Sequence, residues 1–303
     1  MSESIEWIGM FSEKQKGEFA AYGAAILWSL FPIVTVVTVS ALPSLFTAAI
    51  STGLSSLFFA VTLTWRKEWK KAQSAEVWRD MLLTTLFIGI IFYGLVFTGY
   101  RFTSPGNGAM VGLMEVFFAF VIINLLWKHE RFIPVHALGA LLMVIGALFV
   151  LIPKGTVGLN VGDLLILLAT VSAPIGNIYA QRARKAVTAD MIMFVRSIIS
   201  AVFLMVLAWL LEPIPSFQVL ASVWWFLLLN GIVLMGLTKI LWIEAIHRLP
   251  IAKTVALTEV EVLLTLVFAY LLLGQTITPE QAMGILPMLG GVFLLTRPSA
   301  LSL

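Results

Sequence analysis

Apolar segments of close to 20 residues, with short polar breaks between them, recur along the whole chain. A helix of roughly 20 residues crosses the ~30 Å of hydrocarbon in a bilayer. Hydrophobic residues form 60% of the chain and charged residues only 12%, whereas soluble domains contain about 25% charged residues. We therefore predict an all-α membrane protein with ten transmembrane helices. They are expected at residues 18–39, 43–64, 81–100, 104–126, 135–152, 159–181, 189–211, 222–246, 250–273 and 279–296.

Lysine and arginine are unevenly distributed over the predicted loops. If the N-terminus is cytoplasmic, the inner segments contain 14 Lys and Arg residues and the outer loops contain two, Arg101 and Lys154. Cytoplasmic loops of membrane proteins carry such an excess of positive charge. We therefore expect a multi-pass plasma-membrane protein, in bacteria of the inner membrane, with both termini in the cytoplasm. Most tryptophans lie near predicted span ends, as interfacial anchors do, although Trp28 lies deeper.

Residue content disfavours several kinds of chemistry. The chain has no cysteine, which excludes disulfides, thiolate metal sites and cysteine nucleophiles. Its three histidines, His129, His136 and His247, lie near predicted span ends in different segments, and there is no HExxH motif. The net charge of +3 carries no nucleic-acid signal. We therefore expect no catalytic residues, no metal, no cofactor and no nucleic-acid partner.

An internal repeat appears when the chain is shifted against itself by 145 residues. Six glycine or proline pairs then coincide, where chance would give roughly one, and such residues mark helix ends and close packing. The pairs are Gly17/Gly162, Pro105/Pro250, Pro134/Pro279, Gly139/Gly284, Gly146/Gly291 and Pro153/Pro298. We predict two copies, at 1–150 and 155–303, with five spans each. Because five is odd, the second copy is inverted in the membrane, as in many secondary transporters. The alternative is a duplication that only enlarged a structural bundle.

Four stretches carry a resemblance to a known group of membrane proteins. They read AAILWSLFPIVTVV in the first span, GYRFTSPGNGAMVGL into the fourth, LLWKHERFIPVHALGALLMVIGALFVL across the fifth, and AIHRLPIAKTVALTEVEVLLTLVFAYLLLGQTITPEQAMGILPMLGGVFLL at the end. In order and spacing, the chain resembles the drug/metabolite transporter (DMT) superfamily. More narrowly, it resembles the ten-helix members of that superfamily with two EamA domains.

The resemblance implies a ten-helix basket around a central cavity near the bilayer middle, lined mainly by helices one to four and six to nine. Three positions depart from the family pattern. Phe117 and Val262 replace a proline, which puts a helix break there in doubt, and Gln275 replaces a glutamate. Members carry amino acids, drugs, nucleotide-related metabolites and other solutes, so the family does not name the substrate.

The fifth and tenth helices would be scaffold or dimer contacts in such a basket. Gly139 and Gly146 lie seven residues apart on the fifth, and Gly284 and Gly291 on the tenth. Small residues at this spacing allow close helix packing. The sequence leaves homodimer formation open.

Three carboxylates lie at mid-depth in equivalent spans. Glu115 falls near the middle of the fourth span, and at an offset of 145 it maps between Glu259 and Glu261 of the ninth. An ionised group near the bilayer centre costs about 2.5–3.5 kcal/mol on translocon-based scales, so each requires a reason. Glu259 and Glu261 lie about 200° apart on a helix. We expect Glu261 to face the cavity, because three threonines share its face, and Glu259 to face a neighbouring helix. The alternative is a buried ion pair, for instance with Lys239 or Lys253.

Five further residues are weaker candidates. Lys239 could line the cavity or anchor its helix at the interface. Arg196 matches an arginine common in the seventh helix of second EamA repeats, with a packing charge as the alternative. Asn177 could donate a hydrogen bond to a ligand or to another helix. Tyr93 and Phe117 could form aromatic walls of the cavity or pack in the protein interior.

We expect a secondary active transporter that exports small organic metabolites, such as amino acids or amphiphilic and cationic compounds, by alternating access. A buried carboxylate can bind and release a proton as the cavity opens to each side. Glu115 and Glu261 would therefore couple transport to protons, or bind an amino-bearing substrate directly. The expected partners are the lipid bilayer and a small-molecule substrate. A membrane scaffold or sensor is the alternative function, and an intramembrane enzyme has the least support.

Overall fold

The computed structural model of the protein describes residues 12–69, 74–122, 134–151, 160–249, 254 and 257–296. Within these ranges the chain is helical and contains no β-strand, so the all-α prediction is confirmed. The predicted ion-pair candidate Lys253, as well as His129, Lys154, Pro153, Pro250 and Pro298, lies outside the described residues.

The helices follow the order of the predicted spans. They are α1 (Glu13–Ala41, interrupted at Leu30), α2 (Ser44–Arg66), α3 (Ala75–Tyr100), α4 (Pro105–Gly112 and Met114–Phe120), α5 (Pro134–Leu151), α6 (Val161–Ala183), α7 (Ala189–Leu211), α8 (Phe217–Arg248), α9 (Val260–Leu273) and α10 (Pro279–Leu295). Helices α1 to α3 and α6 to α8 are long and apolar enough to cross a membrane, while α5, α9 and α10 are shorter apolar helices. The protein is thus an integral, multi-pass membrane protein.

Local sequence signals fix where several helices begin. The hydroxyl of Thr278 accepts a hydrogen bond from the backbone N–H of Gln281, whose side chain accepts one from the N–H of Thr278, which forms a capping box before α10. Ser104 caps α4 in a similar way, directly before a proline at the first helical position. A hydrogen bond from Gln281 in the first turn of α10 to Asn107 in the first turn of α4 places the starts of these two helices at one end of the bundle, the predicted outer end.

Helices α3 and α8 both contain a π-helical segment, at Thr85–Phe92 and Leu229–Leu237 respectively. Shifted by the repeat offset of 145 residues, the first segment coincides with positions 230–237. These are the third helices of the two predicted repeats. The same uncommon backbone geometry at equivalent positions therefore gives independent support for the duplication.

Helices α2 and α7, which are equivalent in the two repeats, pack against each other in opposite directions. At the start of α2, the backbone N–H groups of Leu45 and Phe46 donate to the carboxylate of Glu212, which follows the end of α7, both at 3.0 Å. At the end of α2, Arg66 pairs with Asp190 in the first turn of α7 at 3.1 Å. Because equivalent helices run antiparallel, the second repeat is inverted relative to the first, as predicted.

Helices α5 and α10 also meet as an antiparallel pair of equivalents. A Cβ atom placed on Gly146 would lie 2.6 Å from the carbonyl oxygen of Gly284, and one placed on Gly284 would lie 2.7 Å from that of Gly146. Gly139 and Gly291 face each other in the same reciprocal way, at 3.0 and 2.7 Å. The predicted close packing therefore occurs between these two helices of a single chain.

We predict that Gly291→Ala destabilises the protein by about 1–3 kcal/mol, because its methyl group would lie 2.6 Å from Met143 Cγ and 2.7 Å from the Gly139 carbonyl oxygen. Gly290→Ala is the matched control on the same helix, since its nearest neighbour, Leu142, lies at an ordinary 3.7 Å. Thermal unfolding in detergent should show a lower midpoint for Gly291→Ala alone. Equal midpoints for the two variants would contradict the close approach of α5 and α10.

Candidate transport site

Carboxylates from both repeats form one acidic cluster, composed of Glu115, Glu259 and Glu261. The charge of Glu259 interacts with that of Glu115, and the charge of Glu261 interacts with those of both others. All three side chains are half-buried. The equivalent helices α4 and α9 thus bring their acids together, as their positions in the two repeats predict.

The backbone is interrupted beside these acids in both helices. In α4 the break lies at Leu113, where i→i+3 hydrogen bonds join Met110 to Leu113 and Leu113 to Val116. Helix α9 begins at Val260, with Glu259 in a turn before it. The chain is helical through Phe117 and Val262, the positions where the family places a proline. The helices are therefore interrupted without proline, one or two residues before an acid. Interrupted helices are typical of transporter binding sites.

Asn177 and Glu115 are brought together by the packing of α6 against α4. The side-chain amide of Asn177 donates to Oε1 of Glu115 at 3.5 Å, and the Asn177 side chain is exposed. An amide that donates to a carboxylate leaves its own oxygen free to accept from another donor. The pair can therefore present both a negative charge and an amide oxygen to a ligand.

Lys239 lies beside the acidic cluster but forms no close ion pair with it. Its charge interacts with those of Glu115 and Glu261, yet no salt bridge of 4.0 Å or less joins Lys239 to any described carboxylate. Instead, its Nζ atom lies 3.8 Å from the centre of the Trp28 ring. The alternative of a tight ion pair between Lys239 and these acids is therefore not what the structure contains.

Tyr93 and Arg196 lie together at a different place, on α3 and α7. The guanidinium carbon of Arg196 lies 5.6 Å from the centre of the Tyr93 ring, and the two side chains are 2% and 3% exposed. Nε and Nη2 of Arg196 have no hydrogen-bond acceptor among the described residues. Phe117 is half-buried and packs edge-on against Phe118 at 5.3 Å.

A polar network at the predicted outer end was not anticipated from the sequence. Asp163, in the first turn of α6, is 1% exposed and accepts hydrogen bonds from the Thr103 hydroxyl and from Nδ2 of Asn107, the latter at 3.3 Å. The oxygen of Asn107 accepts from Nε2 of Gln281 at 2.7 Å. The repeat contained a signal, because Asp163 is equivalent to Glu18, next to the matching pair Gly17 and Gly162.

This network borders two neighbouring cavities of about 480 and 370 Å³, which share Ser104, Asn107 and Gln275 in their walls. Tyr100 lines the larger cavity and lies within electrostatic range of both Glu261 and Asp163. Glu115, Glu259 and Glu261 line neither cavity, so both cavities belong to the predicted outer end of the bundle.

Comparison with known proteins agrees with this architecture. The profile of the family described as "EamA-like transporter family" matches the chain twice, at residues 15–152 and 160–297. The chain belongs to the EamA-like transporter family. The two EamA matches are offset by 145 residues at both ends, which is the offset of the internal repeat. Membership of the DMT superfamily is thereby confirmed, and the protein is a membrane transporter by family.

Two individual proteins are similar to this EamA chain. The chain is 25% identical to "Uncharacterized transporter YoaV" of Bacillus subtilis (strain 168) over 226 residues, which covers 72% of this chain and 75% of the relative. A protein of known crystal structure matches with a TM-score of 0.66 and 16% identity, over 93% of this chain and 96% of the other. This structural match supports the fold of the chain and nothing more.

We predict that Arg196→Met leaves the EamA bundle as stable as the parent protein or more stable by about 1 kcal/mol. It removes a buried charge whose Nε and Nη2 atoms have no acceptor among the described residues, and the Met sulfur can still contact the Tyr93 ring. Arg66→Met is the matched control. It should lower stability by about 1–3 kcal/mol, because it leaves the buried carboxylate of Asp190 without its guanidinium. Thermal unfolding of both variants in detergent would test this. A larger loss for Arg196→Met than for Arg66→Met would show that Arg196 has a structural partner.

Proposed function

We propose that this membrane transporter is a secondary active exporter of small organic metabolites, in particular amino acids or amphiphilic compounds with a cationic amino group, and that it exchanges them for protons by alternating access. The observation that carries the proposal is the acidic cluster of Glu115, Glu259 and Glu261, to which both repeats contribute. We place the protein in the plasma membrane, the inner membrane in bacteria, with both termini in the cytoplasm, because positive charge concentrates at that end.

The charge balance of the cluster favours a cationic ligand. The charges of the three carboxylates interact with one another, and among the described residues Lys239 is the one lysine within electrostatic range of them. Negative charges held close together in a medium of low dielectric repel one another strongly. Either a proton or an ammonium group relieves that repulsion, and the two compete for the same oxygens. This competition is the physical basis of the proposed exchange. Release of the substrate allows a proton to bind, and release of the proton allows the substrate to bind.

The proposed alternating access uses contacts between equivalent pairs of helices at the two ends of the bundle. At the predicted outer end, Asp163 of α6 joins Thr103 at the end of α3. At the predicted inner end, Glu13 of α1 joins Arg248 at the end of α8, at 3.0 Å. Thr103 and Arg248 are equivalent at the repeat offset, and α6 and α1 are equivalent helices. Release of one contact while the other persists would open the transport pathway to one side at a time.

The test is transport by the purified protein in proteoliposomes with an acidic lumen, using a labelled amino acid or lipophilic cation that raises the thermal stability of the protein. We expect Glu115→Gln and Glu261→Gln to reduce proton-driven uptake about tenfold or more, since each removes a charge that the ligand contacts. Glu76→Gln, at an exposed acid in the first turn of α3, is the control and should leave uptake unchanged.

Undiminished uptake that still responds to pH in both cluster variants would remove the acidic cluster from the mechanism. Substrate counterflow with saturation would separate a carrier from a channel. A scaffold or sensor without transport activity would show neither uptake nor counterflow in any variant.

A further inference from the structure

We propose that the face of Trp28 and the acidic cluster form an amine-binding subsite for the transported cation, and that the ammonium group of Lys239 occupies this subsite when no substrate is bound. This inference rests on the proposed function and specifies the ligand of that site. Its chemical class is an organic ammonium or phosphonium cation with an apolar or aromatic body, which displaces the lysine when it binds.

The first observation is the geometry at Trp28. Nζ of Lys239 lies 3.8 Å from the centre of the indole ring, a distance at which the negative ring face attracts a cation. The opposite face of the indole stacks on Phe31, with ring centres 4.5 Å apart and an angle of 2° between the planes. Phe31 is 3% exposed and packs edge-on against Phe97 and Tyr100. Trp28 is therefore fixed from behind, and its remaining face carries the ammonium group.

The second observation is the relation of Lys239 to the carboxylates. Its charge interacts with those of Glu115 and Glu261, but no described carboxylate comes within 4.0 Å of Nζ. A lysine that serves only to join helices would approach a carboxylate to about 2.7–2.9 Å. Here the cation instead rests on an aromatic ring, and the carboxylate oxygens remain available to a second group.

The backbone explains how the lysine reaches this position. Lys239 is the second residue after the π-helical segment Leu229–Leu237 of α8, and π-helical turns are frequent at functional sites. Trp28 lies two residues before the interruption of α1 at Leu30. The subsite therefore lies where two helices from different repeats both depart from regular geometry, beside interrupted α4 and α9.

An ammonium ligand and the ammonium of Lys239 cannot share this subsite, because two positive charges would occupy one ring face. The lysine side chain has four flexible methylene groups and can withdraw, whereas the ring and the carboxylates are attached to packed helices. Without a ligand, Lys239 neutralises part of the negative charge of the acidic cluster. The bound cation takes over this role from the lysine. Binding of the cation is weakened by the competition with Lys239, and removal of the lysine should strengthen it.

The absence of cysteine from the chain permits a direct test with Lys239→Cys. Binding of tetraphenylphosphonium and of phenethylammonium to the purified, full-length protein is measured by calorimetry in detergent. We expect Lys239→Cys to bind these cations about tenfold more tightly than the parent protein. Modification of the new thiol with 2-aminoethyl methanethiosulfonate restores an ammonium group and should return the affinity to the parent value. Modification with neutral methyl methanethiosulfonate should not.

Two sets of controls complete the design. Lys185→Cys, at an exposed lysine, should bind the cations with the affinity of the parent protein. Neither reagent should change that affinity. In the Lys239→Cys protein, Trp28→Leu should weaken cation binding about tenfold, Trp28→Phe should weaken it less, and Trp225→Leu, at a 63% exposed tryptophan, should have no effect. Lys239→Gln is the second variant and should bind as tightly as Lys239→Cys.

The inference is overturned if Lys239→Cys and Lys239→Gln bind the cations no more tightly than the parent protein, or if the neutral and the cationic reagent change the affinity equally. If one of these results is obtained while the parent protein still binds and transports the cations in a manner that depends on Glu115, only this inference fails and the proposed function stands. If neither the parent protein nor the lysine variants bind them, the preference for cationic substrates in the proposed function fails with it.

Discussion

The rest of the structure depends on two contacts between helices that are structural equivalents and run in opposite directions. Helices α2 and α7 form one such pair and α5 and α10 form another. Lipid gives helices little hydrophobic reason to associate, so close approach through small residues and interhelical hydrogen bonds must hold them together. A contact between equivalents is nearly the same when viewed from either side of the membrane. It can therefore persist while the remaining helices rearrange between two states of similar free energy.

Within this frame, the protein balances its intramembrane cations with aromatic faces. Lys239 lies on Trp28 and Arg196 lies near Tyr93. The rings themselves are in contact in series, through Trp28, Phe31, Phe97 and Tyr93. A cation–π contact replaces part of the lost hydration without consuming a carboxylate. The acids of α4 and α9 therefore remain available, which a set of conventional salt bridges would not permit.

The sequence was sufficient to predict the spans, the duplication and the mid-depth positions of three acids, although it assigned Glu259 to the contact with a neighbouring helix. An uninterrupted apolar stretch has few structural alternatives, and a charge within it is conspicuous. Other features were beyond sequence reasoning because their residues resemble common structural ones. Asp163 has the appearance of an ordinary acid in the first turn of a helix, and only its greater depth in the span distinguishes Trp28 from the anchoring tryptophans. The breaks at Leu113 and before Val260 occur without proline, so no local residue type announces them. The roles predicted for Tyr93, Phe117, Asn177 and Arg196 stay predictions.

The π-helical segments of α3 and α8 have a consequence for every side chain that follows them. Their i→i+5 hydrogen bonds widen each turn, so the residues after Phe92 and after Leu237 project from a different side of the helix than a constant 3.6-residue period would give. Tyr93 and Lys239 are among the first residues after these segments. Had either segment tightened into regular α-helix, these side chains would swing away from Arg196 and Trp28. The wide turns thus direct Tyr93 towards Arg196 and Lys239 towards Trp28 in the protein interior.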